Sequence, residues 1–263
     1  GGEVVPREDV SQRVNSMIKD FSDPNPVLIL AQSGAGKSTL IASILAAYSS
    51  EPGEYISFSV FVGATERSTA SFDILAQLNT SINKNLQQEG GSGIKEETLE
   101  TNNILWMQNQ IVESIDNLGK LGKKVLLFFD AVNELDQTSL SLTWLPLVPP
   151  SNCKYVFSTI DPESIDSRSP SGIATASVYE NLNQRWKFLS QAEKSVYNLT
   201  SMSRGERREL FVKLVAKSMD PMPSDTVDIV LAKPEHSPLY LHLIARALLL
   251  QTKMNGEYND DLA

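Results

Sequence analysis

Residues Ala31 to Thr39 read AQSGAGKST, set between the apolar run Pro26-Val27-Leu28-Ile29-Leu30 and a helix-forming run from Leu40 to Ala47. A strand that feeds a glycine-rich turn and then a helix constrains the fold strongly. The successive N–H groups of the turn and the first helical turn converge on one point of positive potential, which favours phosphate. Gly34 and Gly36 allow backbone angles and close approaches that a Cβ would hinder. In such a turn Ser33, Gly34, Ala35, Gly36, Lys37, Ser38 and Thr39 surround the phosphates. Lys37 reaches the β- and γ-phosphates, and the Ser38 hydroxyl ligates Mg²⁺. Ala31 replaces the usual first glycine, which an alanine can do where φ stays negative.

The second half of such a site is an acid at the end of another buried strand. Lys124-Val125-Leu126-Leu127-Phe128-Phe129-Asp130 fits that description, and Asp130 is expected to hold Mg²⁺ together with Ser38. Glu134 follows four residues later. It is either the base that polarises an attacking water or a solvent-facing acid on the next turn, because a general base is defined by geometry that sequence does not carry.

Composition narrows the alternatives. The chain has 263 residues, 41% of them hydrophobic, so one large or two small domains with a real core are expected. A net charge of −9 argues against a broad nucleic-acid footprint. The cluster Arg204, Arg207 and Arg208 reads as a solvated helix face. No apolar run is long enough to span a membrane, and no secretory leader opens the sequence. The single cysteine, Cys153, excludes an internal disulfide and a cysteine-based zinc cluster. Together these features suggest a cytoplasmic protein with no nucleic-acid and no membrane partner. Gly1-Gly2 reads as a tag remnant, and the polar tail after residue 254 suggests a fragment of a larger protein.

Apolar periodicity predicts helices over residues 8–20, 70–85 and 102–118, and strands over 55–62 and 154–159. Residues 87–101 are polar and glycine-rich, a loop or an engineered join. Strands alternating with helices imply a parallel sheet. Beyond about residue 190 the pattern turns helical, over 203–218, 224–232 and 237–252. The expected architecture is therefore α/β: a P-loop NTPase parallel sheet flanked by helices over residues 1–190, with a C-terminal helical lid domain over residues 191–263.

Taken in order, the short motifs resemble those of the STAND class of signal-transduction NTPases. Within it they resemble the NACHT-like domains of nephrocystin-type and telomerase-associated proteins. Val5-Pro6-Arg7-Glu8 is similar to that family's N-terminal motif. Phe61-Val62-Gly63-Ala64-Thr65 with Ser68-Thr69 resembles its second strand and loop, and Asp130-Ala131-Val132-Asn133-Glu134 its extended Walker B. Trp144-Leu145-Pro146 and Phe157-Ser158-Thr159 resemble its next connector and sensor 1 strand, and Ser237-Pro238-Leu239 its helical-domain motif. The resemblance implies ATP or ADP as ligand, with Mg²⁺. It implies adenine contacts from Val5, Arg7 and Pro238, and catalytic roles for Lys37, Asp130 and Glu134. It also implies slow hydrolysis coupled to a conformational and self-association switch, within a protein carrying further domains.

The departures are Pro6 for a glycine, Ala131 for the Walker B glycine, Asn133 for an acid, and Ile160 where the family often has a sensor arginine. Pro238 also suits the first position of a helix, a common use of proline. A small-molecule or nucleotide kinase and a non-hydrolysing nucleotide-binding scaffold are the rival readings. A kinase lid needs arginines over the phosphates, for which Arg204, Arg207, Arg208 and Arg246 are the local candidates.

Overall fold

The computed structural model describes residues 7–50, 53–91, 103–216, 224–232 and 237–248. The chain forms two compact units. One comprises Asp9–Gln32 and Lys37–Asn198. The other comprises Gly1–Glu8, Ser33–Gly36 and Leu199–Ala263.

The larger unit is built on five strands: β1 (Val27–Ala31), β2 (Tyr55–Phe61), β3 (Lys124–Asp130), β4 (Cys153–Ile160) and β5 (Val196–Asn198). Their order is β2-β3-β4-β1-β5, and every pairing is parallel. Parallel strands are covered on both faces, so they read as apolar runs rather than alternations. Val27–Ala31 is buried at every position, as is β3 from Val125 onward. The helices are α1 (Glu8–Lys19), α2 (Lys37–Ser50), α3 (Ser71–Gln88), α4 (Ile104–Lys120), α5 (Pro170–Trp186) and the short α6 (Ala192–Ser195). On α4 the heptad-like row Met107, Ile111, Ile115 and Leu118 is buried, and the side-chain Oδ1 of Asn103 caps the helix by accepting from Trp106 N at 3.1 Å. Under the sheet Phe129 stacks on Phe157 at 5.3 Å, with Trp144, Tyr155 and Trp186 edge-on or tilted around them.

Two sequence expectations are adjusted here. α3 runs on to Gln88, two residues into the segment read as loop, because Asn and Gln near a helix end do not stop it. The fifth strand, β5, escaped the pattern analysis. It has three residues at a sheet edge and pairs with β1 through Leu28↔Val196 to Leu30↔Asn198.

In the smaller unit, α7 (Arg204–Val215), α8 (Ser224–Leu231) and a helix over residues 238–248 share a core of Leu210, Phe211, Val215, Val227, Leu231, Leu241 and Ala245. A capping box starts α7. The Ser203 hydroxyl accepts from Glu206 N at 3.2 Å, and Glu206 Oε2 accepts from Ser203 N at 2.6 Å. The arginine cluster on this helix is not a uniformly solvated face. Arg207 is buried, and Arg204 and Arg208 both reach Asp228, at 3.4 and 2.8 Å. Helical spacing turns position 207 inward while 204 and 208 face α8. No helix among the described residues is long and apolar enough to cross a membrane.

Candidate functional site at the strand ends

The C-terminal ends of β1, β4 and β3 lie side by side, which is where ligands bind in open parallel sheets. β4 separates the strand before the glycine-rich turn from the strand that ends in Asp130. Register ties Ala31 to Ile160 and Phe129 to Phe157, so Ser158 stands beside Asp130.

The turn takes the conformation that its glycines were expected to permit. Gly34 has φ +75 and Gly36 φ +98, both in the region where an L side chain is strained. α2 begins at Lys37, so Ser38 and Thr39 occupy its first turn, both exposed. Lys37 is 9% exposed, and its Nζ donates to the carbonyls of Ala31 and Gln32, each at 3.1 Å. Burial pushes its ammonium below the ordinary lysine range, and the charge of Asp130 partly restores it.

Asp130 is 3% exposed. Its Oδ1 accepts from the Ser158 hydroxyl, which in turn accepts from Ala131 N at 2.9 Å. Ala131 has φ 57 and ψ 47, the left-handed conformation. That explains why the related pattern carries glycine there, and it places a strained alanine immediately after the acid. The chain then forms a 3-10 turn, Val132–Glu134. Asn133 Oδ1 accepts from Thr159 Oγ1 and Ile160 N, both at 3.3 Å, while its Nδ2 donates to Glu134 Oε1 at 3.1 Å. Glu134 itself is exposed, and a Cβ on Gly63 would stand 3.3 Å from its Cβ. The asparagine at the position of an acid thus joins the β4 end to the glutamate. Ser158 and Asn133 bond to the two predicted site acids, Asp130 and Glu134, links that sequence reading missed. Their signal was the parallel register of β3 and β4, which a motif scan does not contain.

In the smaller unit, Val5 lies outside the described residues, whereas Arg7 is well anchored. Its Nε pairs with Glu206 at 2.9 Å, and its other nitrogens donate to Thr200 O at 2.9 Å and Thr200 Oγ1 at 3.3 Å. Burial works against ionisation of Glu206, but hydrogen bonds from Ser203 and the Arg7 guanidinium outweigh it and hold the carboxyl below its usual range. Ser237 starts the 238–248 helix, its hydroxyl accepting from Tyr240 N at 3.3 Å, with Pro238 in the first helical position. A Cβ on Gly34 would lie 3.0 Å from Ser237 Oγ, and one on Gly36 would lie 3.9 Å from Pro238 Cγ. The proline ring therefore lies next to the turn.

No group of three or more His, Cys, Asp or Glu side chains gathers a metal site among the described residues. The Ser38 hydroxyl and the Asp130 carboxylate, the two oxygens expected from the sequence, are hard donors of the kind that suits Mg²⁺, which is commonly bound through one or two protein oxygens with phosphates and water completing its shell.

The family model described as nephrocystin 3, N-terminal, matches residues 10–159, more than half of the chain. A TPR repeat-containing protein of Dictyostelium discoideum is 23% identical over 273 residues, an alignment covering 92% of this chain and 15% of that protein. The chain thus spans a small part of the relative it matches. Among solved structures, domain III of the Thermotoga maritima replication initiation protein DnaA superposes with a TM-score of 0.51 at 15% identity, covering 97% of this chain and 88% of that one. AMPPCP-bound DnaA from Aquifex aeolicus superposes at 0.47 with 12% identity, covering 95% of this chain and 64% of that one. The fold is that of a P-loop NTPase.

Proposed function

Starting from a chain that belongs to the nephrocystin 3 N-terminal family, we propose that it binds ATP and ADP and works as a slowly hydrolysing conformational switch. The observation that carries this reading is a buried Lys37 ammonium, donating among the described residues only to the carbonyls of Ala31 and Gln32, at the head of a turn opened by two left-handed glycines, with the buried Asp130 carboxylate at the end of a neighbouring strand of the same sheet. The backbone N–H groups of residues 33–39 cradle the phosphates, and Lys37 exchanges its carbonyl partners for phosphate oxygens. Ser38 and Asp130 hold Mg²⁺, which when bound neutralises charge on the phosphates. Glu134 accepts the proton of an attacking water, in an orientation fixed by Asn133. Val5 and Arg7 form one wall of an adenine site and Pro238 the other, and with its phosphates on Lys37 the nucleotide couples a P-loop domain over residues 1–190 to a helical lid over 191–263. A ligand moves such an equilibrium only by binding its two states differently, and ADP favours the closed one. Self-association, further domains and a cytoplasmic setting complete the proposal.

Three of the four candidate arginines disfavour a kinase. Arg204 and Arg208 are engaged by Asp228 and Arg207 is buried, whereas phosphate-clamping arginines must be free to swing. Ile160 offers no arginine finger, whose presence is worth about 10³–10⁵ in rate, so turnover should be on the order of 10⁻² s⁻¹ or below. Single-turnover assays with Mg²⁺ and ATP test this, with and without phosphoryl acceptors. Slow hydrolysis that Glu134→Gln removes while ATP binding persists supports the reading. Turnover that depends on an acceptor, or full activity in Glu134→Gln, contradicts it.

A further inference from the structure

We propose that the open edge of β2, together with α3, forms a docking groove for an extended peptide bearing acidic side chains, a function separate from the nucleotide site. The cleft has a volume of about 430 Å³ and is lined by Ser57, Phe58 and Ser59 on one side and by a row on α3 that includes Gln77, Ser81 and Lys84 on the other. β2 is the seven-residue strand at one edge of the sheet.

The direction of its hydrogen bonds follows from the ends of the ladder. Lys124 N donates to Glu54 O at 2.7 Å, and Val62 N donates to Asp130 O at 3.0 Å. With a period of two, the even-numbered residues of β2 face β3, so the N–H and C=O groups of Ser57 and Ser59 face outward. Among the described residues those four groups have no hydrogen-bond partner. An unpaired strand edge is a template for another extended chain. A strand edge facing a helix across a cleft suits strand addition, in which main-chain bonds give affinity and side-chain pockets give specificity.

The geometry also selects the occupant. Gln77 to Gln88 of α3 runs about 16 Å, the length of roughly five extended residues. Phe58 and Leu78, both buried, supply an apolar floor for every second side chain. Lys84 is exposed and is the only charged residue lining the cleft among the described residues. Its ammonium favours a carboxylate on the incoming peptide. β2 itself carries no proline and no charged side chain between Tyr55 and Phe61 that would resist pairing.

The probe is a capped peptide, Asp-Val-Thr-Val-Thr-Val-Asp, titrated into the full ¹⁵N-labelled chain. A second peptide carries Lys for Asp, and a third is N-methylated at alternate residues. The expected result is amide shift changes at Ser57 and Ser59, with binding at least about tenfold weaker for the Lys and N-methyl peptides. Lys84→Glu should weaken the acidic peptide by about tenfold or more. Ser59→Pro removes an outward N–H without touching the β3 ladder and should abolish binding with the thermal transition retained. If Ser59→Pro does not fold, Lys84→Glu and the N-methyl peptide decide the matter. No binding at about 1 mM, shifts confined to other surfaces, or indifference to Lys84→Glu would overturn the proposal. So would a dimer in sedimentation that Ser59→Pro dissolves, since it would give the edge to a second copy. None of these outcomes depends on nucleotide binding.

Discussion

Ser158→Ala should be among the most damaging single-atom deletions in the larger unit, and its cost can be worked from the hydrogen bonds it removes. The side chain is fully buried on β4. Its hydroxyl donates to a carboxylate that is itself 3% exposed and accepts from Ala131 N at 2.9 Å. A bond to a charged group contributes about 1.5–3 kcal/mol, and an amide left short of its acceptor at a partly buried site costs about 1 kcal/mol, the low end of the desolvation range. The sum is about 2.5–4 kcal/mol. Little is recovered by packing, because alanine leaves no room for a well-placed water. Urea unfolding of the full chain measures the difference, and an unchanged slope would show that the same surface unfolds. Mg²⁺-dependent nucleotide binding should weaken as well, because Asp130 loses the group that orients it. A stability loss below about 1 kcal/mol would refute the reasoning, since it would mean that the hydroxyl does not bridge the acid and the following amide.

Ala131→Gly should stabilise the chain. Relief of left-handed strain is worth about 1–2 kcal/mol and the added freedom of the unfolded glycine takes back about 0.4–1, so a net gain near 0.5–1 kcal/mol should appear in the same urea titrations. Cys153 is buried, and desolvation raises its thiol far above the usual range; it should resist an exposed-thiol reagent until the unit unfolds, which a timed alkylation with mass detection reads directly. Glu206 has a folded pKa below its unfolded one. Its contribution is therefore present above the unfolded value of about 4.3 and is lost as pH falls through the folded value. The Ser203 hydrogen bonds supply the larger part of that lowering and Arg7 the smaller, so Arg7→Ala should flatten the stability–pH curve below about pH 5 only in part.

What sequence revealed and what it hid follows from physical scale. The turn at 33–39 and the strand ending in Asp130 were legible because backbone demands there fix residue types locally. Helix α4 was legible because Met107, Ile111, Ile115 and Leu118 repeat at helical spacing. α5 was not recognised. Its inward positions include Gly172 and Thr175 beside Val178, Leu182 and Trp186, so small and polar residues break the apolar row. β5 is too short to carry a pattern. The Ser158–Asp130–Ala131 bridge and the Asn133 link depend on which strands become neighbours, a property of topology. Arg207 looked solvated because charge alone does not say which side of α7 packs inward.

The central claim is that the turn at 33–39 binds nucleotide phosphates through Lys37. Calorimetric titration of ATP and Mg²⁺ into the wild type and Lys37→Ala tests it most directly. Removing the charge-assisted bonds should cost about 2–4 kcal/mol, a Kd roughly 30- to 1000-fold weaker, with the thermal transition of the unliganded chain little changed. A wild type that binds no nucleotide, or a Lys37→Ala affinity within about threefold of wild type, would contradict the account.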